Sequence, residues 1–160
     1  MLRRLFLMRH AEASWGGPDV GDLQRPLTEK GRRQAQAQGL ILRELGVERI
    51  ICSPAARAVE TAEGTGLKLD VSSEGTLYNS SAQRIRTQLA KIPEYVNSVL
   101  VVAHSPGVAE LARYLADQRS DAAALALIRY TYPPATLTAL EFDSLWPDLH
   151  AARLFLAKIP

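Results

Sequence analysis

Two arginines and two histidines are the residues whose types best suit a chemical reaction. Arg9 and His10 are adjacent near the start of the chain, and Arg57 and His104 follow much later. A guanidinium presents a planar fork of donors that fits phosphate oxygens. A neutral imidazole can attack phosphorus, and a covalent intermediate divides one difficult displacement into two easier ones. The four residues therefore predict phosphoryl-transfer chemistry.

The order of these residues suggests a role for each. His10 is the predicted nucleophile, because it directly follows Arg9 where a strand is expected to end. Arg9 and Arg57 would hold the phosphoryl oxygens, over which negative charge spreads during transfer. His104 would face these oxygens as a charged or hydrogen-bonding stabiliser. Ser105 is either a helix cap alone or a cap that also contacts phosphate.

Three apolar runs lead to these residues and predict buried strands. The runs are Leu5–Met8, Ile50–Cys52 and Val99–Ala103. Continuous runs of Val, Ile and Leu suit parallel strands that helices cover on both faces. The second and third runs each lead into Ser-Pro, which predicts a helix capped by Ser53 and another capped by Ser105. Because the carboxyl ends of parallel strands meet at one edge, the four residues should converge there.

The remaining pattern predicts one domain over residues 1–160. A helix is expected to begin after Thr28, a good capping residue, and to end at Gly46. Further elements are predicted at Ser81–Ile92 (helix) and at Thr136–Phe142 and His150–Leu156 (strands). Residues 117–134 show no clear pattern. The alternation of strands and helices predicts an α/β protein with a mostly parallel sheet.

Composition narrows the class of protein. The formal charge is only +2, so nucleic acid is not an expected partner, yet fifteen of the nineteen cationic side chains are Arg. A single cysteine, Cys52, excludes an internal disulfide and a zinc site of several thiolates. The run Leu5–Met8 is too short for a signal peptide or a membrane span. We expect a cytoplasmic protein without a membrane partner, a cofactor or a metal.

Two other hydrolase patterns are present in weaker form. Ala103–Gly107 approximates the Gly-x-Ser-x-Gly turn of serine hydrolases, and Asp143 or Asp148 precedes His150 in the required order. However, the residue after that serine must donate its N–H to the oxyanion, and Pro106 has none.

Cys52 and Arg57 imitate the loop of cysteine phosphatases, in which five residues separate the thiolate from the arginine. Here only four intervene, and none is Gly. We therefore interpret Cys52 as a buried residue at the end of a strand.

Four blocks of sequence resemble the histidine phosphatase superfamily, and within it the short phosphohistidine phosphatases of the SixA type. The blocks are Leu7–Glu12 (LMRHAE), Leu27–Ala35 (LTEKGRRQA), Ser53–Ala62 (SPAARAVETA) and Val102–Gly107 (VAHSPG). The resemblance implies a three-layer α/β/α sandwich of the phosphoglycerate mutase type and metal-free hydrolysis of a phosphate ester or phosphoramidate. It places the family's two arginines and two histidines on Arg9, Arg57, His10 and His104, with His10 as the phospho-acceptor.

One departure from the family bears on the substrate. Many relatives carry a glutamate as general acid where this chain has Tyr78 and Asn79, and Glu12 and Glu74 are the nearest candidates for a proton donor. Short relatives also lack that acid. We therefore expect the substrate to be protein phosphohistidine, on a histidine-containing phosphotransfer partner. A phosphatase of small phosphoesters and a non-catalytic phosphate-binding module are the alternatives.

Overall fold

The computed structural model describes residues 1–160 and contains one six-stranded sheet. The strands are β1 (Arg3–Arg9), β2 (Arg49–Cys52), β3 (Val71–Ser73), β4 (Ser98–Ala103), β5 (Leu137–Phe142) and β6 (Arg153–Lys158). Their order across the sheet is β3-β2-β4-β1-β5-β6. The first four are mutually parallel, whereas β5 and β6 are each antiparallel to their neighbour. The predicted mostly parallel sheet is confirmed.

Five helices cover the two faces of the sheet. They are α1 (Glu29–Leu45), α2 (Ala56–Gly64), α3 (Ala82–Leu89), α4 (Gly107–Leu115) and α5 (Ala122–Ile128). Alternate residues of β1 point to opposite faces, so Leu5 and Leu7 pack with α3, α4 and α5, while Phe6 and Met8 pack with α1 and α2. The structure is therefore the expected three-layer α/β/α sandwich. None of its helices has the length and apolar character needed to cross a membrane.

Both predicted ends of α1 are confirmed. The hydroxyl oxygen of Thr28 accepts a hydrogen bond of 3.0 Å from the N–H of Gly31, which satisfies one of the free donors at the start of the helix. Gly46 ends the helix in the left-handed conformation, with φ of 72°.

The predicted serine caps of α2 and α4 are wrong. Helix α2 is preceded by Ala55 and α4 by Pro106, and no side chain caps either helix. Ser53 lies too early in the chain to cap α2. Its hydroxyl accepts a hydrogen bond from the N–H of Ala55 and contacts His104 instead. The Ser53 hydroxyl, which the sequence predicted as a helix cap, therefore lies beside His104 at the candidate site.

Other elements differ from the prediction in extent or were not predicted. Helix α3, capped by Ser81, ends at Leu89 and not at Ile92, and β6 begins at Arg153 and not at His150. Residues 117–134 contain α5, capped by the side chain of Asp121. Strand β3 was not predicted, because its three residues include only one apolar side chain and lack a recognisable period.

Candidate active site

The register of the parallel strands brings the predicted site together. Arg9, the last residue of β1, is aligned with Ala103 at the end of β4, and Cys52 at the end of β2 is aligned with Val102. The residue that follows each strand therefore emerges at the same edge of the sheet. These residues are His10, Ser53 and His104. Arg57 reaches the same edge from the first turn of α2.

His10 is buried and held in one tautomer. Its Nδ1 lies 2.8 Å from the carbonyl oxygen of Ala11. A carbonyl can only accept, so Nδ1 carries the proton and Nε2 keeps a free lone pair. Burial, together with the charges of Arg57 and Arg9, lowers the pKa of His10 to about 4. The ring is therefore neutral near pH 7, the state in which it is nucleophilic.

His104 lies directly beside His10, with 5.3 Å between the ring centroids. Its Nε2 is 2.7 Å from the hydroxyl oxygen of Ser53, and its Nδ1 is 3.4 Å from a terminal nitrogen of Arg57. Burial, together with repulsion from His10 when that ring is protonated in acid and from Arg57, lowers the pKa of His104 to about 3. Two neutral imidazoles and a fixed cation therefore share this pocket.

Both arginines keep a buried donor free. The terminal nitrogen Nη1 of Arg57 donates to the carbonyl of Asp22 at 2.7 Å, and that of Arg9 donates to the carbonyl of Tyr132 at 3.0 Å. The Nε atom of each guanidinium is buried without a hydrogen-bond partner. Unsatisfied buried donors are rare and costly in proteins. Both Nε atoms are therefore donors that a ligand oxygen could satisfy.

Asp22 is a neighbour of the site that the sequence did not reveal, and it is held there by Tyr78, which stands where many relatives carry an acid. The carboxylate of Asp22 lies 3.1 Å from Nη2 of Arg57 and accepts a hydrogen bond from the Tyr78 hydroxyl. The Tyr78 ring stands edge-on to His104, with centroids 5.7 Å apart. Asp22 lies in a Gly- and Pro-containing loop, where an aspartate usually serves a turn. No sequence signal distinguished it.

Comparisons with known proteins identify the family of this chain. Residues 5–77 match the model of the histidine phosphatase superfamily, branch 1. An uncharacterised protein of Mycobacterium tuberculosis is 31% identical over 89% of this chain and 91% of its own. The phosphohistidine phosphatase SixA homolog of Haemophilus influenzae is 30% identical over 87% and 88%. A SixA structure from Nakamurella multipartitia covers 100% of this chain and 97% of its own, with 33% identity and a TM-score of 0.89.

This chain belongs to the histidine phosphatase superfamily. Of the four residues that the family resemblance singled out, His104 contacts both His10 and Arg57 at the carboxyl edge of the sheet, and Arg9 ends β1 at the same edge. Structures named as SixA are among its structural neighbours, and the one from Nakamurella multipartitia agrees with the expected subgroup.

The two glutamates considered as proton donors do not contact the histidines of this histidine phosphatase. Glu12 accepts a hydrogen bond from the Thr28 hydroxyl at the start of α1. Glu74 accepts one from Ser72 beside β3. Both carboxylates therefore support local structure outside the group of four site residues.

The remaining candidates differ in their placement. Ser105 follows His104 at the same edge, half-buried and without a side-chain hydrogen bond, so its hydroxyl is free to contact a ligand.

The residues of the two rival hydrolase patterns do not form an active site. His150 is exposed and bonds only to the carbonyl of Asp148, so it does not form the hydrogen bonds of a serine hydrolase triad. Cys52 is buried, and burial raises the pKa of its thiol to about 11. Its interpretation as a structural strand-end residue is confirmed.

Proposed function

We propose that the protein hydrolyses protein phosphohistidine through a covalent phosphohistidine intermediate on His10, without a metal or cofactor. The observation that carries this proposal is the neutral ring of His10, whose Nδ1 proton is held by Ala11 and whose Nε2 is free beside Arg57 and His104. Family membership supports the phosphatase class.

Each member of the site has a role in the transfer. Arg9 and Arg57 would hold the equatorial oxygens through their free donors. His104 would donate a hydrogen bond from Nδ1 to a phosphoryl oxygen, with Ser53 donating to its Nε2. Nε2 of His10 would attack phosphorus in line with the departing group. Water would then attack the phosphorus bound to His10 and release inorganic phosphate.

The groups that surround the site support phosphohistidine as the substrate. An alkoxide must be protonated as it leaves, and a positioned acid contributes roughly 10² to 10⁴ in rate. Neither Glu12 nor Glu74 contacts the four residues, and three donors, from Arg57, Arg25 and Tyr78, keep the Asp22 carboxylate ionised. An imidazole protonated on its second nitrogen leaves as a neutral molecule and needs no such acid.

The composition of the site supports metal independence. No group of three His, Cys, Asp or Glu side chains is placed to hold a metal ion. The charge that a metal would supply comes instead from two guanidiniums, and these need no deprotonation or exchange with solvent.

The first prediction is a phosphoenzyme on His10. The enzyme is quenched in base during turnover of ³²P-labelled substrate in EDTA, and the adduct is mapped. We expect an acid-labile label on His10 and undiminished turnover in EDTA. H10A should lose about 10³-fold or more in kcat, the size seen when a covalent nucleophile is removed.

The exposed His150 provides the matched control, and H150A should keep full activity. Label on Ser105 or Cys52, or turnover that survives in H10A, would show that His10 is not the nucleophile. Alkyl phosphates cleaved as fast as a phosphohistidine peptide would instead contradict the proposed substrate.

A further inference from the structure

Asp22 provides the one carboxylate in ion-pair contact with the four site residues. It lies in the loop between β1 and α1 and touches Arg57 twice, through its main-chain carbonyl at 2.7 Å and its carboxylate at 3.1 Å. Tyr78, which follows β3, donates its hydroxyl to the same carboxylate oxygen. Two separate segments of the chain thus hold this carboxylate beside the phosphate-binding cation.

Asp22 lies on the solvent side of the candidate site. His10 is 9% exposed and His104 is 3% exposed, whereas the Asp22 side chain is 45% exposed. In an in-line displacement by the buried His10, the leaving group departs on the side of phosphorus opposite to His10, toward solvent. The exposed Asp22 contacts Arg57, and the half-buried Tyr78 contacts His104.

The charge of Asp22 decides what it can do there. Arg57, Arg25 and the Tyr78 hydroxyl are the charged and titratable groups that face it. The hydrogen bonds from Tyr78 and these arginines lower the pKa of Asp22 to about 2. A carboxylate ionised at neutral pH cannot protonate a departing alkoxide. It can, however, accept a hydrogen bond from a cationic N–H group.

We infer that Asp22 recognises the leaving group: its carboxylate accepts a hydrogen bond from the protonated ring nitrogen of a substrate phosphohistidine. This inference rests on the proposed function, since it requires phosphohistidine as the substrate. Tyr78 would position the carboxylate. Asp22 would then favour the ring in its cationic form, from which a neutral imidazole can depart.

The transfer would be nearly symmetric between two imidazoles. The bond from phosphorus to the substrate ring breaks, and its electron pair stays on that ring, which leaves neutral with its N–H intact. The lone pair on Nε2 of His10 forms the new bond, so the positive charge passes to the His10 ring. Ala11 accepts the N–H of His10 at 2.8 Å, as Asp22 would accept that of the substrate. Water then restores neutral His10 and yields phosphate.

The test is the ratio of activities of D22N on two substrates. A histidine-phosphorylated peptide needs its ring protonated, whereas 4-nitrophenyl phosphate has a leaving group that departs without help. We expect kcat/KM for the peptide to fall roughly 10- to 100-fold, as for loss of a charged hydrogen bond. The value for 4-nitrophenyl phosphate should change by less than about threefold. Because both substrates require Arg57, the ratio cancels any change in its orientation.

The pH profile gives a second readout that a structural role would not produce. An adjacent carboxylate raises the pKa of the substrate ring, so D22N should move the basic limb of the peptide profile about one unit lower. The limb for 4-nitrophenyl phosphate should stay in place. D19N is the matched control, since Asp19 carries the same charge in the same loop, is exposed and makes no ion pair.

Each contrary outcome has a distinct meaning. If D22N lowers kcat/KM equally for both substrates, Asp22 only orients Arg57. If D22N raises kcat/KM equally for both, Asp22 blocks the phosphate site. Either result overturns this inference and leaves the substrate proposal standing. A wild-type enzyme that cleaves 4-nitrophenyl phosphate but not the peptide overturns both.

Discussion

The contact between Ser53 and His104 links the end of one strand to the end of another. Ser53 is fully buried, and its hydroxyl is the partner of Nε2 of His104 at 2.7 Å. A hydroxyl can donate or accept, whereas a guanidinium such as Arg57 can only donate. Ser53 therefore allows His104 to accept from Arg57 in the free enzyme and to donate to phosphate when substrate is bound.

Replacement of Ser53 should weaken both folding and catalysis. S53A removes the partner of a buried ring nitrogen, which costs about 1–3 kcal/mol. We expect kcat for 4-nitrophenyl phosphate to fall roughly tenfold or more through misorientation of His104, and the ¹⁵N chemical shifts of its ring to report an altered tautomer.

Ser98 provides the control for this change. It is buried at the opposite end of β4, and its hydroxyl has no hydrogen-bond partner. S98A should therefore keep wild-type kcat. A variant S53A with unchanged kcat and unchanged ring shifts would show that the hydroxyl does not govern His104.

The site residues that follow strand ends were predictable from the sequence. His10 and His104 were predictable because each follows a continuous apolar run, and the geometry of a parallel sheet then fixes where such residues emerge. Asp22 and Tyr78 were not, because their meeting depends on the path of two loops. Loop paths follow from tertiary contacts that have no local period.

At the scale of elements, the helix boundaries were predictable only where capping chemistry is local. Thr28 and Gly46 define α1 through interactions within a few residues. The Ser-Pro junctions carried the same local signal, yet the hydroxyl of Ser53 bonds across the sheet to His104, and α2 begins at Ala56. Tertiary contacts override the local preference there.

Close packing of α1 on the end of α2 depends on Gly39. A Cβ atom at this position would lie 1.9 Å from the carbonyl oxygen of Thr65, a main-chain atom that cannot move aside. Replacing Gly by Ala inside a helix normally stabilises it by about 1 kcal/mol. Here we expect overpacking to dominate, so that G39A lowers the free energy of unfolding by about 2 kcal/mol or more.

Urea denaturation measures this effect. G75A is the control, because a Cβ at Gly75 would have no neighbour within 4 Å and its φ is not positive. Its free energy of unfolding should stay within about 0.5 kcal/mol of wild type. A variant G39A as stable as G75A would contradict the close approach of α1 to Thr65.

At the scale of the whole molecule, two apolar layers enclose the sheet and leave its carboxyl edge for polar groups. One layer joins the sheet to α3, α4 and α5, and the other joins it to α1 and α2. This architecture was predictable from buried strands alternating with helices. The cost of the arrangement is that His10 and His104 are enclosed as neutral rings.

That burial predicts a pH-dependent stability. In the unfolded chain a histidine has a pKa near 6.5, while burial lowers those of His10 and His104 to about 4 and about 3. Between pH 6.5 and 4 the unfolded state therefore binds protons that the native state does not. The free energy of unfolding is therefore not reduced by these two histidines above pH 6.5. It decreases as the pH falls below this value, by up to roughly 2 kcal/mol for each histidine at pH 5. Asp22 contributes in the same direction, but only below about pH 4.

The free energy of unfolding, measured with urea at steps from pH 7 to pH 4.5, checks this prediction. The double variant H10Q/H104Q removes both groups, so its stability should vary much less over this range than that of the wild type. H150Q should retain the wild-type slope, because the exposed His150 meets solvent in both states. A wild-type curve that is flat down to pH 5, or a double variant with an unchanged slope, would mean that the two rings take up protons in the folded protein. His10 would then lose its lone pair in mildly acidic solution, and phosphoenzyme formation would decline over the same pH range.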